Sequence, residues 1–321
     1  MYLPKGGSHH LAEVLERVIA YNGGVIIREA PVSKVLVQNG VAVGVALSKD
    51  AKLPDLEIRA RKAVVSGVDV TQTMIQFLSP GHLSADMRSK IEKFDYAGNA
   101  LFCVHLALTE SPKYSSAKFD PVIDHAWSMD IGYENYDHLR EHVREIESGI
   151  LPTHPRFEAS SNSMLDPTLA PPNRHTAVIY QEMPITFKLR MSREEFEREK
   201  EKYADLCIEM WRKYAPNLTA DKILGRYVYT PFEYSEKLVS MRGGNWALGT
   251  MDAKQWYTNR PLSELAQYRT PIKRLYICSS SCHPGGSIFL AAGYNAANVV
   301  ADDLGVKKWW TPVDEQLRVN R

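Results

Sequence analysis

A glycine-rich turn between an apolar run and an alanine-rich segment constrains this chain more than any other feature. Residues 275–278 predict a buried strand, and three serines and then His-Pro-Gly-Gly at 283–286 follow closely. From Ala291 the spacing of apolar residues predicts a helix that ends at Gly305. Strand, loop and helix in this order place small residues and a helix N-terminus beside a flat or anionic ligand. An ordinary strand-to-helix turn of an α/β domain is the alternative.

The bulk composition excludes several classes of protein. With 39 basic and 38 acidic residues among 321, the chain has no electrostatic case for binding nucleic acid. Its four cysteines are scattered, which suits a reducing compartment, and they complete no zinc motif. No apolar run approaches the roughly 18 residues of a membrane span, and the N-terminus lacks the apolar core of a signal peptide. We therefore expect a cytoplasmic protein with no bound metal.

The first 70 residues predict a helix and a β-meander. Apolar residues recur at helical spacing from Leu11 to Ile19, which predicts an amphipathic helix with Ser8 as N-cap and Gly23 as its stop. The Asn39-Gly40 pair is a strong hairpin signal. Strands are predicted at residues 25–27, 32–37, 41–47, 58 and 63–67.

The following two hundred residues predict a second region of mixed helices and strands. Ser192-Arg193-Glu194-Glu195 forms a capping box that begins a long charged helix. His138 and His142 are four apart on a shorter helix that we expect to be exposed; they could bind a metal, but a solvated face is the alternative. A helical segment that Pro80-Gly81 breaks is predicted at 71–92, further helices at 136–148 and 192–214, and strands at 101–108 and 176–183.

The motifs resemble those of the phytoene desaturase-like FAD-dependent oxidoreductases. This branch of the amine-oxidase superfamily includes carotenoid desaturases, carotenoid isomerases and retinol saturases. The resemblance covers nearly the whole chain. It rests on His283-Pro284-Gly285-Gly286, on Lys-Gly-Gly-Ser at 5–8, on Pro-Val-Ser-Lys-Val at 31–35, on Val-Val-Ser-Gly-Val-Asp at 64–69 and on the Asp-Pro-Thr-Leu-Ala-Pro segment at 166–171.

The resemblance implies where the ligands lie. In the family the His-Pro-Gly-Gly loop passes over the flavin ring, and the next helix points its N-terminus at the pyrimidine end. FAD contacts are therefore expected from Val32, Ser66, Ser280, Ser281, Gly285, Gly286, Ser287 and Ile288. A later loop region closes the substrate cavity, which implies substrate contacts from Trp246, Gln255, Trp256 and Tyr257. For the aromatic residues among them, burial in the hydrophobic core is the alternative.

His283 is the candidate for proton transfer. It is the one titratable side chain in the His-Pro-Gly-Gly loop, and the ordinary pKa of histidine lies near neutrality. The alternative is that His283 only holds the loop in place by hydrogen bonding.

The sequence lacks a Gly-x-Gly-x-x-Gly motif, whose glycines let a dinucleotide pyrophosphate reach a helix N-terminus. In the family this motif precedes the Lys-Gly-Gly helix by about one domain length. Because the chain has its own Met1, we expect a split enzyme in which a partner chain carries the dinucleotide-binding domain. A fragment, or a chain that has lost the cofactor, are the alternatives.

The predicted fold is α/β, with part of a glutathione reductase-like FAD-binding domain at 1–70 and 271–306. An inserted substrate domain of mixed sheet and helices is expected at 71–270, and a tail at 307–321. Its Trp309-Trp310 pair could touch a membrane surface or a partner, and packing of the tail onto the domain is the alternative. The predicted function is hydride transfer between FAD and an apolar organic substrate, by desaturation, saturation or dehydrogenation. The alternative is a non-catalytic binding or scaffolding subunit that has lost the cofactor.

Overall fold

The described part of the chain contains six α-helices and ten strands, and it falls into two compact units. The computed structural model describes residues 4–286 and 290–311. The helices are α1 (His9–Tyr21), α2 (Ala85–Glu92), α3 (Tyr136–Glu147), α4 (Arg193–Arg212), α5 (Pro231–Lys237) and α6 (Ala291–Asp303). The strands are β1 (Val32–Gln38), β2 (Val41–Leu47), β3 (Glu57–Arg59), β4 (Val64–Ser66), β5 (Asn99–Leu108), β6 (Ser128–Ile131), β7 (Phe157–Ser160), β8 (His175–Pro184), β9 (Ile223–Tyr229) and β10 (Leu275–Ile277).

The two units are each assembled from separate stretches of the chain. The first comprises the described residues up to Ile26 together with Gly98–Asn245. The second comprises Ile27–Ala97 and the described residues from Trp246 onward. These bounds do not coincide with the predicted division at 1–70, 71–270 and 271–306. Since compactness does not show which part carries the flavin, the functional division stays a prediction.

An antiparallel sheet of five strands, in the order β6-β7-β8-β5-β9, carries the first unit. Successive side chains of a strand point to opposite faces, so alternate residues of β5 turn toward one core. Phe102 is one of them, and its ring meets those of Phe196 and Tyr203 on α4 edge-to-face, at centroid distances of 6.4 and 5.4 Å. Trp211 of α4 is fully buried in the same core. The sheet therefore gains its stability from packing against α4.

Helix α4 begins with the predicted capping box. The Ser192 Oγ accepts from the Glu195 backbone N–H at 3.2 Å, and the Ser192 N–H donates to the Glu195 Oε2 at 2.8 Å. These two bonds satisfy N–H groups that have no partner inside the helix. The capping-box prediction is confirmed.

Replacing Ser192 by alanine is expected to lower the free energy of unfolding by about 1 kcal/mol, because one of the first N–H groups of α4 loses its acceptor. Urea denaturation of the purified chain measures this. Ser8→Ala is the matched control: Ser8 stands before α1 as predicted, but its side chain makes no capping hydrogen bond. That control is expected to change stability by less than about 0.5 kcal/mol. Equal losses in the two variants would contradict the prediction.

The second unit contains the predicted hairpin. Strands β1 and β2 pair antiparallel, and β3 pairs with β2. At the turn, Asn39 and Gly40 have φ values of +50° and +74°, as a two-residue hairpin turn with two left-handed positions requires. The hairpin prediction is confirmed.

A parallel pair of short strands, β4 and β10, forms the other sheet of this unit. One edge of β10 is covered: the Ile277 N–H donates to the Tyr268 carbonyl at 2.9 Å, and the Thr270 N–H donates to the Leu275 carbonyl at 3.3 Å. Helix α6 and β10 contribute to a common core. Because the strands run parallel, the loops that leave β4 and β10 lie at the same end of the pair.

The edge of β4 opposite β10 has no strand beside it in the described part of the chain. The Val64 N–H donates to the Arg274 carbonyl and the Cys278 N–H to the Ser66 carbonyl, both at 2.8 Å. Residues 64 and 66 therefore face β10, and the backbone groups of Val65 point the other way, since they alternate along a parallel ladder. The side chain of Val65 is 47 % exposed. Strand β4 thus ends the sheet with an open edge.

Helix α1 leaves its apolar face uncovered. The helix is amphipathic as predicted, yet none of its residues is buried, and Val14 and Val18 are each 52 % exposed. The prediction of a strand at residues 25–27 is wrong: this apolar stretch has no regular secondary structure and is exposed. A strand requires a neighbour for its N–H and C=O groups, and the described residues supply none here.

The prediction of an exposed α3 is wrong at two positions, His142 and Ile146, which are both buried. His142 is only 2 % exposed, and burial lowers its pKa to about 4. His138, on the same helix, stacks on the His154 ring at a centroid distance of 4.4 Å. The spacing of the two histidines therefore reflects packing of α3 on its own unit.

Candidate functional site

The loops that leave β4 and β10 at their carboxyl ends are bonded to each other. The fully buried Ser281 accepts a hydrogen bond at its Oγ from the Val70 N–H, at 3.1 Å. In open parallel sheets, ligands bind in the crevice outside the carboxyl ends of the strands. This end of the second unit is therefore the candidate site.

The His-Pro-Gly-Gly loop, residues 283–286, is packed against its own unit. Gly285 has a φ of +98°, which favours glycine. Gly286 has no such backbone requirement, but a Cβ atom there would lie 2.6 Å from the Ala247 Cα. Close approach to a flat ligand is thus not the only reason for glycine at this position. The backbone at Ala247 already leaves no room for a Cβ atom.

Arg260 holds the loop from behind, and its guanidinium is fully buried. Its Nη2 donates to the Ala247 and Ser280 carbonyls, each at 2.9 Å, and its Nη1 donates to the Thr250 carbonyl at 2.8 Å. Burial lowers the pKa of Arg260 to about 10. No role was predicted for this residue from the sequence. A fourth carbonyl oxygen, that of Gln255, accepts from Nη1 at 3.4 Å, and nothing in the spacing of the sequence identifies these four oxygens as partners of Arg260.

His283 combines an aromatic setting with an unpaired nitrogen. Its ring stacks on Tyr257 at a centroid distance of 5.0 Å and meets Trp256 edge-on at 5.7 Å. Its Nδ1 is buried and has no hydrogen-bond partner among the described residues. Burial, and then the charge of Arg260, lower the pKa of His283 below its ordinary value. A neutral imidazole with a free nitrogen is suited to accepting a proton.

Tyr268 connects the loop to helix α6. Its hydroxyl donates to the His283 carbonyl at 2.8 Å and accepts from the Asn295 Nδ2 at 2.8 Å. Helix α6 begins at Ala291, as predicted, and has no acidic residue in its first turn. The first turn therefore carries no negative side chain of its own, which suits an anionic group nearby.

The predicted FAD contacts are spread over three places. Ser280, Ser281, Gly285 and Gly286 lie in one segment after β10, while Ser66 ends β4 and its Oγ shares a 2.7 Å hydrogen bond with the Thr73 hydroxyl. Val32 begins β1 in the other sheet of the unit. Ser287 and Ile288 lie outside the described residues. The contacts of all these residues with a flavin stay predictions.

The predicted substrate residues have different surroundings. Gln255 uses its amide to hold backbone: Oε1 accepts from the Asp95 N–H and Nε2 donates to the Asp95 carbonyl, both at 2.9 Å. Trp256 is half-buried, and Tyr257 is 67 % exposed. Both adjoin His283, whereas Trp246 is half-buried elsewhere in the unit. A substrate role is thus best supported for Trp256 and Tyr257 and stays a prediction for all four.

Several known proteins resemble this chain, although no family model matches it. A subunit of the limonene dehydrogenase of Castellaniella defragrans is 28 % identical over 320 residues, which cover 98 % of this chain and 58 % of that protein. Prolycopene isomerase 1 of an Oncidium hybrid is 26 % identical over 318 residues, 98 % of this chain and 48 % of that one. The chain is a relative of the phytoene desaturase-like FAD-dependent oxidoreductases. It spans about half the length of the curated relatives it matches.

Solved structures support the fold. An oxidoreductase from Methanosarcina mazei has a TM-score of 0.53 at 18 % identity, over 94 % of this chain and 55 % of that one. The predicted fold class, part of a glutathione reductase-like domain with an inserted domain of sheet and helices, is confirmed. In the described part of the chain, no helix is both long and apolar enough to cross a membrane.

The residues of the candidate site fit a flavin ring better than a whole dinucleotide. The site offers a glycine-containing loop, aromatic rings and the orphaned His283 Nδ1 at the carboxyl ends of parallel strands. The sequence offers no Gly-x-Gly-x-x-Gly turn for the pyrophosphate.

Proposed function

We propose that this chain is one part of an FAD-dependent oxidoreductase acting on an apolar organic substrate, and that a second polypeptide supplies the pyrophosphate-binding turn. The observation that carries the proposal is the joined pair of loops at the carboxyl ends of β4 and β10, with His283 among aromatic rings. Bound FAD supplies hydride acceptance or donation. The chain itself would hold the loop with Arg260, exclude water with Trp256 and Tyr257, and accept a proton at the His283 imidazole.

The uncovered surfaces support the need for a second polypeptide. Strand β4 presents an open edge at Val65, and parallel sheets are normally covered and extended on such edges. Helix α1, in the other unit, exposes its apolar face. The dehydrogenase relative is by its name one subunit of an enzyme, which agrees with an assembly of several chains. An α/β partner that adds a parallel strand to β4 would cover the open edge of β4 and bind its unpaired backbone groups.

We expect the chain alone to retain FAD at well below one molecule per chain, since the pyrophosphate has no glycine-rich turn to bind. The measurement is flavin absorbance after gel filtration, with the chain alone and with a candidate partner that carries Gly-x-Gly-x-x-Gly. Stoichiometric FAD only in the mixture supports the proposal. Stoichiometric FAD on the isolated chain would show that no partner is needed.

The substrate class can be tested in the assembled enzyme. The names of the two relatives suggest limonene, a monoterpene, and prolycopene, a carotenoid, as first substrates. Without oxygen, conversion of either compound, or bleaching of oxidised flavin or reoxidation of reduced flavin by it, would support an apolar substrate. An assembly that binds neither flavin nor these compounds would favour a scaffolding role instead.

A further inference from the structure

Arg260 carries a buried charge that no carboxylate neutralises among the described residues. Its relative exposure is 0 %, and its partners are backbone carbonyl oxygens of residues 247, 250, 255 and 280. Removing a cation from water costs several kcal/mol, and an ion pair is the usual compensation. Carbonyl dipoles solvate the guanidinium here but leave its net charge in place. That charge can therefore act on neighbouring groups through a medium of low polarity.

The charge lies directly behind the His-Pro-Gly-Gly loop. A Cβ atom on Gly285 would be 3.3 Å from the Arg260 Nε, so only backbone separates the guanidinium from the other side of the loop. Trp256 packs beside it, with its ring centroid 5.8 Å from the guanidinium carbon. The charge also lowers the pKa of His283. These contacts place its field at the surface that the loop presents to a ligand.

The carbonyl oxygens that hold Arg260 are themselves fixed. Gln255, whose carbonyl is one of them, locks Asp95 through its side-chain amide and also donates to the Thr250 carbonyl at 3.2 Å. Since the oxygens come from separate turns of one unit, the guanidinium ties these turns together. Because the guanidinium is held rigidly, it can stabilise a negative charge that develops nearby without first having to change its own position.

We propose that Arg260 is a positioning residue that also gives the His-Pro-Gly-Gly loop a positive potential, which favours an anionic group against the loop. Under the proposed function that group is the reduced flavin, whose affinity rises relative to the oxidised form. The flavin part of this inference rests on the proposed function, whereas the potential at the loop does not. A purely structural clamp would hold the turns together without this preference.

The experiment compares Arg260→Gln, which removes the charge, with Arg260→Lys, which keeps it but loses the planar fork. Arg61→Gln, at an exposed arginine of the same unit, is the control. The first readout is the pKa of His283 in the flavin-free chain, followed by NMR with the signal assigned through His283→Gln. The second is the reduction potential of FAD in the assembled enzyme.

We expect the pKa of His283 to rise in Arg260→Gln and to stay near the parent value in Arg260→Lys and in the control. In Arg260→Gln the preference for reduced flavin should fall at least tenfold, about 30 mV for a two-electron couple. Equal effects of Gln and Lys would overturn the inference in favour of a clamp. A pKa of His283 at or above the ordinary value of about 6.5 in the parent chain would also overturn the inference. This measurement does not depend on whether any variant folds. Failure of every assembly to bind FAD would refute the proposed function, while the histidine titration still decides this inference.

Discussion

Replacing His283 by alanine is expected to slow turnover of the assembled enzyme by about 10²- to 10⁴-fold while FAD stays bound, because a positioned proton acceptor typically contributes that much. The prediction rests on the His283 Nδ1, which has no hydrogen-bond partner within residues 4–286 and 290–311, and on the stacked Tyr257 ring. The measurement is the rate of flavin bleaching by the substrate, together with the flavin content of each variant. Loss of FAD from the variant would point instead to a role in holding the loop.

The pH profile separates proton transfer from packing. Burial and Arg260 lower the pKa of His283, so the imidazole stays neutral to a lower pH than an ordinary histidine. For a proton acceptor, activity should fall only below about pH 6.5, and this acid limb should vanish in His283→Ala. His125→Ala, at an exposed position in the other unit, should leave the profile unchanged. An unchanged acid limb in His283→Ala would remove the catalytic role.

Replacing Gly286 by alanine is expected to destabilise the flavin-free chain by about 1–3 kcal/mol, the usual cost of an extra methyl group in a packed site. The new Cβ would lie 2.6 Å from the Ala247 Cα. Because the backbone fixes the positions of both atoms, no side-chain rotation can relieve this contact. Flavin retention should fall as well, because the loop must shift. Thermal unfolding of the chain without flavin gives the first number, and absorbance of the assembly gives the second.

Gly293→Ala is the matched control for this substitution. Gly293 lies in α6, and a Cβ there meets nothing within 4 Å. Alanine should stabilise the helix by about 0.5–1 kcal/mol, since glycine is the poorer helix former. Should Gly286→Ala leave the flavin-free chain as stable as the parent and weaken only flavin binding, close approach of the ligand would be the sole reason for the glycine.

Local patterns in the sequence predicted much of the fold. The hairpin at Asn39-Gly40, the capping box at Ser192 and the helix beginning at Ala291 each depend on residues within one or two turns of the chain. The prediction of a strand at 25–27 was wrong for the opposite reason. A strand needs hydrogen-bond partners from elsewhere in the chain, and the apolar composition of these residues does not supply them. The burial of His142 likewise depends on what packs against α3 and not on the polarity of its own helix.

The candidate site was only partly predictable. The resemblance located the His-Pro-Gly-Gly loop and its histidine, because they are contiguous in sequence. It could not show that the Gln255 side chain is hydrogen-bonded to the Asp95 backbone, or that Arg260 donates to four carbonyl oxygens from separate turns. Such contacts are properties of the folded backbone and leave no periodic signal.

The open edge of β4 has a consequence for the way a cell makes this protein. An unpaired strand edge is a template for any extended segment that meets it, including the same edge on another copy. If the proposed second polypeptide covers this edge, copies of the chain made in excess over it would be lost to self-association or degradation. We therefore expect balanced synthesis of the two polypeptides to decide how much active enzyme accumulates, more than the intrinsic strength of either promoter.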